Sequence, residues 1–321
     1  MKSFEALALM TIALIAGFLY YDIKAGLREP LQGQPTKHPI VLAHGLLAGP
    51  RSMMFVKQAL TPDGHQLFVT TVPTIHNVET RAGLLAEQID QILIDTESEK
   101  VNIIAHSMGG LDARYLISKL GYEDKIASLT TVATPHRGTP FADWLLKWTS
   151  RISEERLNRL ARQTSLRFAP EDIAEMADFR LGFLGISVQT AEQFNQGVTN
   201  SDKVYYQSWA GLSNAFGKAH ANDVPECTKD GAPFWKPKHI RDTLEWVMIP
   251  LAYLTRGPEK LPNDGAVPVS SAKWGNFRGC VPADHLDLLG LYQDKAPNPK
   301  TGFDYKRFYR AMAFELAEMG F

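Results

Sequence analysis

Short apolar runs alternate with segments of helical periodicity along the first part of the chain. Four of these runs have the length and composition of buried strands: residues 39–43, 66–72, 101–105 and 126–133. A helix is predicted over residues 80–94, where apolar residues recur on one face: Leu85, Ile89, Ile92 and Leu93. Strands that alternate with helices at this spacing predict an α/β fold, with a mostly parallel sheet covered by helices on both faces.

The pattern changes after the fourth strand. Residues 141–183 have helical periodicity and no convincing strand, which predicts a helical insertion. Its first helix carries an aromatic stripe that includes Phe141, Trp144 and Trp148. Such a stripe packs under a static cap, or it faces an apolar cleft as a movable lid. Three further elements are predicted in the rest of the chain: a strand at 203–210, a helical stretch at 243–254 and an amphipathic helix at 305–319.

The N-terminal stretch, residues 7–20 (LALMTIALIAGFLY), carries no charge. Its length suits a signal segment or a short membrane anchor. We expect residues 1–22 to form an uncleaved single-pass anchor that holds the protein at a membrane. The alternatives are a cleaved signal, which would place the protein in the periplasm or outside the cell, and a buried helix. Residues 23–37 then form a linker, and residues 38–321 form one domain that contains the insertion.

Composition narrows the classes of partner and cofactor. The chain has 34 Lys and Arg against 35 Asp and Glu, so its charge gives no reason to expect a nucleic-acid partner. We find no glycine loop that would cradle phosphates and predict no cofactor. The two cysteines, Cys227 and Cys280, cannot form a four-thiolate zinc site. They allow one disulfide, which would require an oxidising compartment.

The candidate nucleophile is Ser107, within residues 101–110 (VNIIAHSMGG). This stretch predicts a strand, a sharp turn and a helix, which together raise a serine hydroxyl above the edge of a sheet. The turn requires small residues two positions either side of the serine, and Ala105 and Gly109 meet that need. Ala105 stands where the usual pattern has glycine, and it is still small enough for strand and helix to approach.

A serine hydroxyl needs a histidine to accept its proton, and the histidine needs a carboxylate to orient it. In hydrolase sheets these follow in the order Ser, acid, His. That order selects Asp264, in a turn after a strand-like run, and His285 in the segment ADHLD. His136 is interpreted as a loop-packing residue. Two more histidines also precede the acid and lack a sheet-end context: His220 and His239.

Two backbone N–H groups must stabilise the oxyanion that forms when the serine attacks a carbonyl. One is predicted to be that of Met108, directly after the nucleophile. The other is assigned to Leu46, in the loop HGLLAGP after the first strand. His44, which opens this loop, is expected to be a structural hydrogen-bonding residue rather than a base.

Together, the segments HGLLAGP, AHSMGG, ATPHRGTP, NDGAVPVSS and DHLD resemble the triacylglycerol lipases of the α/β-hydrolase superfamily, near the Pseudomonas and Burkholderia lipases and related fungal ones. The resemblance covers residues 38–145 and 262–291. It implies an α/β-hydrolase fold and the triad Ser107, Asp264 and His285. It also implies a lid after Phe141 and hydrolysis of carboxylic esters at a lipid–water interface.

The resemblance further implies a structural calcium ion near the catalytic histidine. Asp287 matches one ligand and Asp242 could match an upstream acid, but Leu291 stands where a side-chain oxygen is required. Two carboxylates are a weak set of ligands for calcium, so no metal is predicted. Whether Cys227 and Cys280 pair stays open.

The function expected from the sequence is a serine lipase or esterase that acts on lipid esters through an acyl-enzyme. An acyltransferase or thioesterase acting on lipid substrates would use the same residues. A non-catalytic lipid-binding protein held at a membrane would be expected to lack at least one of the three triad residues, and none is missing here. Acyl-chain length, positional preference and oligomeric state do not follow from these motifs.

Overall fold

A computed structural model gives the structure of the protein, and it describes residues 31–218, 227, 242–291 and 296–321. The predicted N-terminal anchor, His220 and His239 lie outside these residues. Within the described ranges, no helix is both long enough and apolar enough to cross a membrane.

Eight strands occur in the described residues: β1 Ile40–Ala43, β2 Leu67–Val69, β3 Val101–His106, β4 Ile126–Val132, β5 Tyr205–Gly211, β6 Ser213–Asn214, β7 Asp242–Thr243 and β8 Asn276–Val281. Six of them form one sheet in the order β2-β1-β3-β4-β5-β8, and every pair of neighbours is parallel. β6 and β7 form a separate short pair. The predicted parallel sheet is therefore confirmed.

Helices connect the strands, as parallel neighbours require. The α-helices of the described residues are α1 Pro50–Leu60, α2 Val78–Thr96, α3 Gly109–Lys119, α4 Pro140–Trp148, α5 Glu154–Ser165, α6 Glu171–Glu175, α7 Phe179–Leu184, α8 Val188–Gly197, α9 Ile249–Arg256, α10 Val269–Ala272 and α11 Tyr305–Glu318.

Apolar side chains cover both faces of the sheet. On one face, Ile40, Leu42 and Ile104 are fully buried in a cluster that also contains residues of α1 and α11. On the other face, Val41 and Ile103 are buried with residues of α2 and α3. The alternation within β1 and β3 follows from the two-residue period of a strand, and burial of each such side chain contributes about 1.5–3 kcal/mol.

The insertion consists of α4 to α7, as the helical pattern predicts, and it packs on a third apolar cluster. Phe141 is buried in this cluster beside Phe183, but Trp144 and Trp148 are 46% and 65% exposed. The two indole rings stack on each other with centroids 5.8 Å apart. The aromatic stripe is therefore divided: its first residue lies in the core and its tryptophans lie at the surface.

Two elements differ from the predictions. β8 was not predicted, because this edge strand contains Gly279 and only its second half is buried. The run before Asp264 is not a strand of the sheet, because α9 ends at Arg256 and Asn263 forms only isolated bridges, to Ser213 and Pro268.

A disulfide joins Cys227 to Cys280 in β8, across 53 positions of the sequence. The pairing that the sequence left open is therefore formed.

Candidate active site

Ser107 lies between the end of β3 and the start of α3, with a backbone φ of 55°. This left-handed conformation is unfavourable for a residue with a side chain and needs support from its surroundings. The Ser107 amide donates to the Val132 carbonyl (2.9 Å), and the Ser107 carbonyl accepts from the Thr134 hydroxyl (2.7 Å). A Cβ at Gly109 would lie 2.8 Å from the His44 carbonyl oxygen, so this position requires glycine. The predicted strand–turn–helix is confirmed.

His285 and Asp264 lie together, although they are 21 positions apart. The His285 Nδ1–H donates to Asp264 Oδ2 at 2.7 Å, and the His285 amide donates to the Asp264 carbonyl at 2.8 Å. The other carboxylate oxygen of Asp264 accepts from the amides of Ala266 (2.9 Å) and Val267 (2.7 Å). Because Asp264 uses Nδ1, the second ring nitrogen of His285, Nε2, is left to act as an acceptor.

Ser107 and His285 both line a cavity of about 580 Å³. This size is typical of a small-molecule site. Its walls are mainly apolar and come from the loop after β1, from the insertion and from the region around α9. The insertion and the segment after it supply four of the lining residues: Phe141, Arg167, Phe168 and Ile186. The insertion is therefore part of the wall.

The Leu46 amide belongs to the loop after β1, whose Gly45 packs against Ser107, and the Met108 amide directly follows Ser107 in the chain. Among the described residues, neither amide has a protein acceptor, whereas the next amide in the loop, that of Leu47, donates to the Thr74 carbonyl. Two unengaged N–H groups beside a serine are the arrangement that an oxyanion hole requires.

His44 opens this loop and is buried. Burial, with the nearby Arg81 guanidinium, lowers the pKa of His44 to about 3. The imidazole is therefore neutral, and its ring nitrogens lie near the Gly45 carbonyl and the Val72 amide. These contacts agree with the structural role that the sequence indicates.

His136 is also a packing residue, as predicted. It is buried, its ring stacks on Trp274, and its Nε2 lies 3.1 Å from the Thr131 hydroxyl.

Sequence reasoning missed a buried ion pair beside the site. Arg81 of α2 donates to Asp112 of α3 at 2.8 Å, and it also donates to the carbonyls of His44 (2.8 Å) and Pro73. Arg81 thus connects the loop that carries Leu46 to the helix that follows Ser107. The available signal was a charged residue four positions before Leu85, on the apolar face of α2.

Sequence reasoning also missed His106, the neighbour of Ser107. Its Nε2–H donates to the His285 carbonyl at 3.1 Å, and the two imidazole rings lie 4.4 Å apart. Burial lowers the pKa of His106 well below its ordinary value, so the ring is neutral. His106 therefore fixes the backbone of the His285 loop against β3.

Three buried carboxylates, those of Asp242, Asp284 and Asp287, converge next to the His285 loop. One oxygen of Asp242 and one of Asp287 have no hydrogen-bond partner, while Asp284 accepts three backbone amides. Burial and the neighbouring carboxylates raise the pKa of Asp287. Hard oxygen ligands with free lone pairs fit a calcium ion. No metal was predicted from the sequence, because the resemblance identified only Asp242 and Asp287 as ligands and did not include Asp284.

Comparisons with known proteins agree with this architecture. Residues 34–167 match the family described as "Putative serine esterase (DUF676)". Triacylglycerol lipase 2 of Saccharomyces cerevisiae is 30% identical over 282 residues, which cover 83% of this chain and 73% of the yeast protein. Triacylglycerol lipase of Vibrio cholerae is 39% identical over 113 residues, 34% of this chain and 36% of that one.

Among solved structures, the lipase of Staphylococcus hyicus superposes with a TM-score of 0.64 at 16% identity, over 91% of this chain and 98% of that chain. This likeness shows the α/β-hydrolase fold. With the yeast relative matched over most of both chains, the protein belongs to the family of α/β-hydrolase serine esterases that includes yeast triacylglycerol lipase 2, and it is a carboxylic-ester hydrolase.

Proposed function

We propose that the protein hydrolyses carboxylic esters of lipids through an acyl-enzyme, with Ser107 as nucleophile, His285 as base and Asp264 as the acid that orients it. One observation carries the proposal: a histidine held by a buried carboxylate at 2.7 Å shares an apolar cavity with a serine on a left-handed turn. The lipase names of its relatives favour the same substrate class.

In the first half of the reaction, His285 Nε2 accepts the proton of Ser107 as its oxygen attacks the ester carbonyl. The amides of Leu46 and Met108 donate to the oxyanion, and Asp264 stabilises the imidazolium through Nδ1. Collapse of the tetrahedral intermediate breaks the bond to the alkoxy group. His285 gives its proton to that oxygen, and the alcohol leaves.

In the second half, His285 accepts a proton from water, and the resulting hydroxide attacks the acyl-enzyme. The same two amides stabilise the second oxyanion, and His285 returns the proton to Ser107 as the fatty acid leaves. A calcium ion held by Asp242, Asp284 and Asp287 would neutralise these carboxylates and so brace the His285 loop.

The test uses p-nitrophenyl esters from acetate to palmitate, below and above their solubility. We expect Ser107→Ala to reduce kcat to background and Asp264→Asn to lower it by about 10⁴-fold, because the amide no longer selects the correct histidine tautomer. Asp63→Asn is the matched control and should keep the wild-type kcat, since the Asp63 side chain is a buried carboxylate that pairs with Arg310 and lies outside the cavity lining. Retention of wild-type kcat in Ser107→Ala would overturn the proposal.

We also propose that residues 141–183 act as a movable lid and that residues 1–22 hold the enzyme at a membrane. A disulfide introduced to fix the insertion to the loop after β1 should abolish the rise in rate at the substrate's solubility limit. Deletion of residues 1–22 should move the enzyme from the membrane to the soluble fraction. An unchanged rate profile or distribution would contradict the respective proposal.

A further inference from the structure

Two arginines, Arg51 and Arg167, lie in the mainly apolar wall of the Ser107 cavity. Arg51 comes from the first turn of α1, and Arg167 follows α5 in the insertion. Both side chains are exposed. The described residues that line the cavity include no aspartate or glutamate. The mouth of this cavity is therefore positively charged, whereas the protein as a whole is nearly neutral.

The two arginines belong to segments that contact each other. Gly49, two residues before Arg51, packs so closely on Phe168, one residue after Arg167, that a Cβ at Gly49 would collide with the Phe168 carbonyl oxygen. Phe168 itself lines the cavity. Arg51 and Arg167 therefore both lie close to the contact between the loop after β1 and the insertion.

Neither arginine has a carboxylate partner in the described part of the chain. Other arginines of the insertion do: Arg159 pairs with Glu155 at 3.1 Å, and Arg162 pairs with Glu175 at 3.2 Å. Arginine forks match carboxylate and phosphate oxygens in pairs, so two unpaired forks at one cavity mouth are suited to an anionic group.

The position of Arg51 does not serve the stability of α1. A helix begins with a partial positive charge, and α1 has no acidic residue in its first turn and no side-chain cap. A cation at this end is unfavourable for the helix. The charge is therefore better explained by what it faces, which is the cavity.

We propose that Arg51 and Arg167 bind the phosphate of glycerophospholipids, and that this enzyme hydrolyses the fatty-acyl esters of such anionic lipids. The inference rests on the proposed function of Ser107. Water is added across the acyl ester, so a fatty acid and a lysophospholipid are released and the phosphodiester stays intact. The acyl chain occupies the apolar part of the cavity, and the headgroup remains at its mouth.

The test compares two monomeric substrates with the same acyl chains, dihexanoyl phosphatidylglycerol and dihexanoylglycerol, below their micelle concentrations. Monomers remove any effect of a charged surface. For Arg51→Ala/Arg167→Ala, we expect the ratio of kcat/KM for the phospholipid to that for the diacylglycerol to fall about tenfold, mainly through KM. High salt should reduce the same ratio in the wild type.

Arg151→Ala/Arg156→Ala is the matched control. It removes two exposed arginines that lie outside the cavity lining and that have no ion pair among the described residues. The control should keep the wild-type ratio. An equal fall in the control, or no fall in the cavity variant, would overturn the proposal, because the charges would then act at long range or not at all.

Inhibition by hexanoate, a fatty-acid product, tests whether the two arginines bind the phosphate of the substrate or the carboxylate of the product. If the cavity variant loses hexanoate inhibition but keeps the wild-type substrate ratio, the arginines bind product and the proposal is wrong. If the wild type cleaves dihexanoylglycerol but not the phospholipid, this inference fails alone. If it cleaves neither and Ser107 is inert, the proposed function fails as well.

Discussion

Replacing Arg81 by methionine would remove the hydrogen bonds through which this residue connects the loop after β1 to α3, the helix after Ser107. Arg81 is fully buried and donates to Asp112, to the His44 carbonyl and to the Pro73 carbonyl. Burial raises the pKa of Asp112 to about 6 despite the adjacent guanidinium, so the carboxylate is ionised at pH 8. Arg81→Met removes the cation that opposes this rise in pKa, so the buried carboxyl of Asp112 must either stay ionised without a partner or take up a proton at pH 8, and both are costly.

The cost has two parts. An uncompensated buried charge costs about 3–5 kcal/mol. Each of the two carbonyls that lose their donor adds about 1 kcal/mol, so the free energy of unfolding should fall by about 5–7 kcal/mol. That is a large share of the stability of a typical domain, roughly 5–15 kcal/mol, and the single variant will be partly unfolded.

The double variant Arg81→Met/Asp112→Leu separates stability from catalysis. It removes both charges, and one oxygen of Asp112 has no hydrogen-bond partner to lose. We expect it to regain at least about 3 kcal/mol relative to Arg81→Met in urea titrations at pH 8. Its kcat on p-nitrophenyl butyrate should remain about 10²-fold below wild type, because the loop that carries the Leu46 amide is no longer held.

Two results would refute this reasoning. Wild-type stability of Arg81→Met would mean that the buried charge is not compensated by Arg81. Wild-type kcat in the stable double variant would mean that Arg81 does not position the oxyanion loop.

Three other predictions concern acid, the disulfide and calcium. Three buried neutral histidines should each lower the free energy of unfolding by about 1 kcal/mol between pH 6.5 and 5.5, because unfolding lets them bind protons, whereas buried carboxyls with a raised pKa, such as Asp112 at about 6, act in the opposite direction. These histidines are His44, His106 and His136. The histidine contribution is therefore measured as a difference: relative to the wild type, His136→Gln should gain about 1 kcal/mol as the pH falls from 6.5 to 5.5, and an unchanged difference in urea titrations would contradict it. Reduction of the disulfide by dithiothreitol should lower the free energy of unfolding by about 4 kcal/mol, because the bond closes a loop across 53 positions of the sequence. Equal urea midpoints with and without dithiothreitol would refute this. Calcium at a concentration one hundred times its Kd should raise Tm by about 5 °C relative to the enzyme in EDTA. The variant Asp242→Asn/Asp287→Asn should abolish this rise. A rise that persists in the variant would mean that calcium binds elsewhere.

The sheet and the turn at Ser107 could be predicted because local chemistry determines them. Buried parallel strands are continuous apolar runs, and the turn needs small residues at fixed positions around Ser107. The order of Ser107, Asp264 and His285 along the chain could also be predicted. The loop conformations that bring Asp264 and His285 together could not. β8 was missed because half of it is exposed and Gly279 weakens its pattern.

Long-range pairing could not be predicted in the same way. Nothing near Arg81 in the sequence indicates that Asp112 lies beside it, since the contact depends on how α2 packs on α3. The same holds for Cys227 with Cys280 and for Asp284, which joins Asp242 only in the folded chain. The exposure of Trp144 and Trp148 could not be predicted, because an apolar stripe has the same sequence pattern whether it faces the core or the surface.

The central claim is that Ser107 forms the acyl-enzyme, and covalent labelling tests it most directly. The full-length enzyme is treated with a hexyl phosphonate ester, digested and analysed by mass spectrometry, beside Ser107→Ala and an enzyme labelled in the presence of substrate. We predict one adduct, on the peptide that contains Ser107, which substrate suppresses and Ser107→Ala eliminates. An adduct on another residue, or undiminished labelling of Ser107→Ala, would contradict the account.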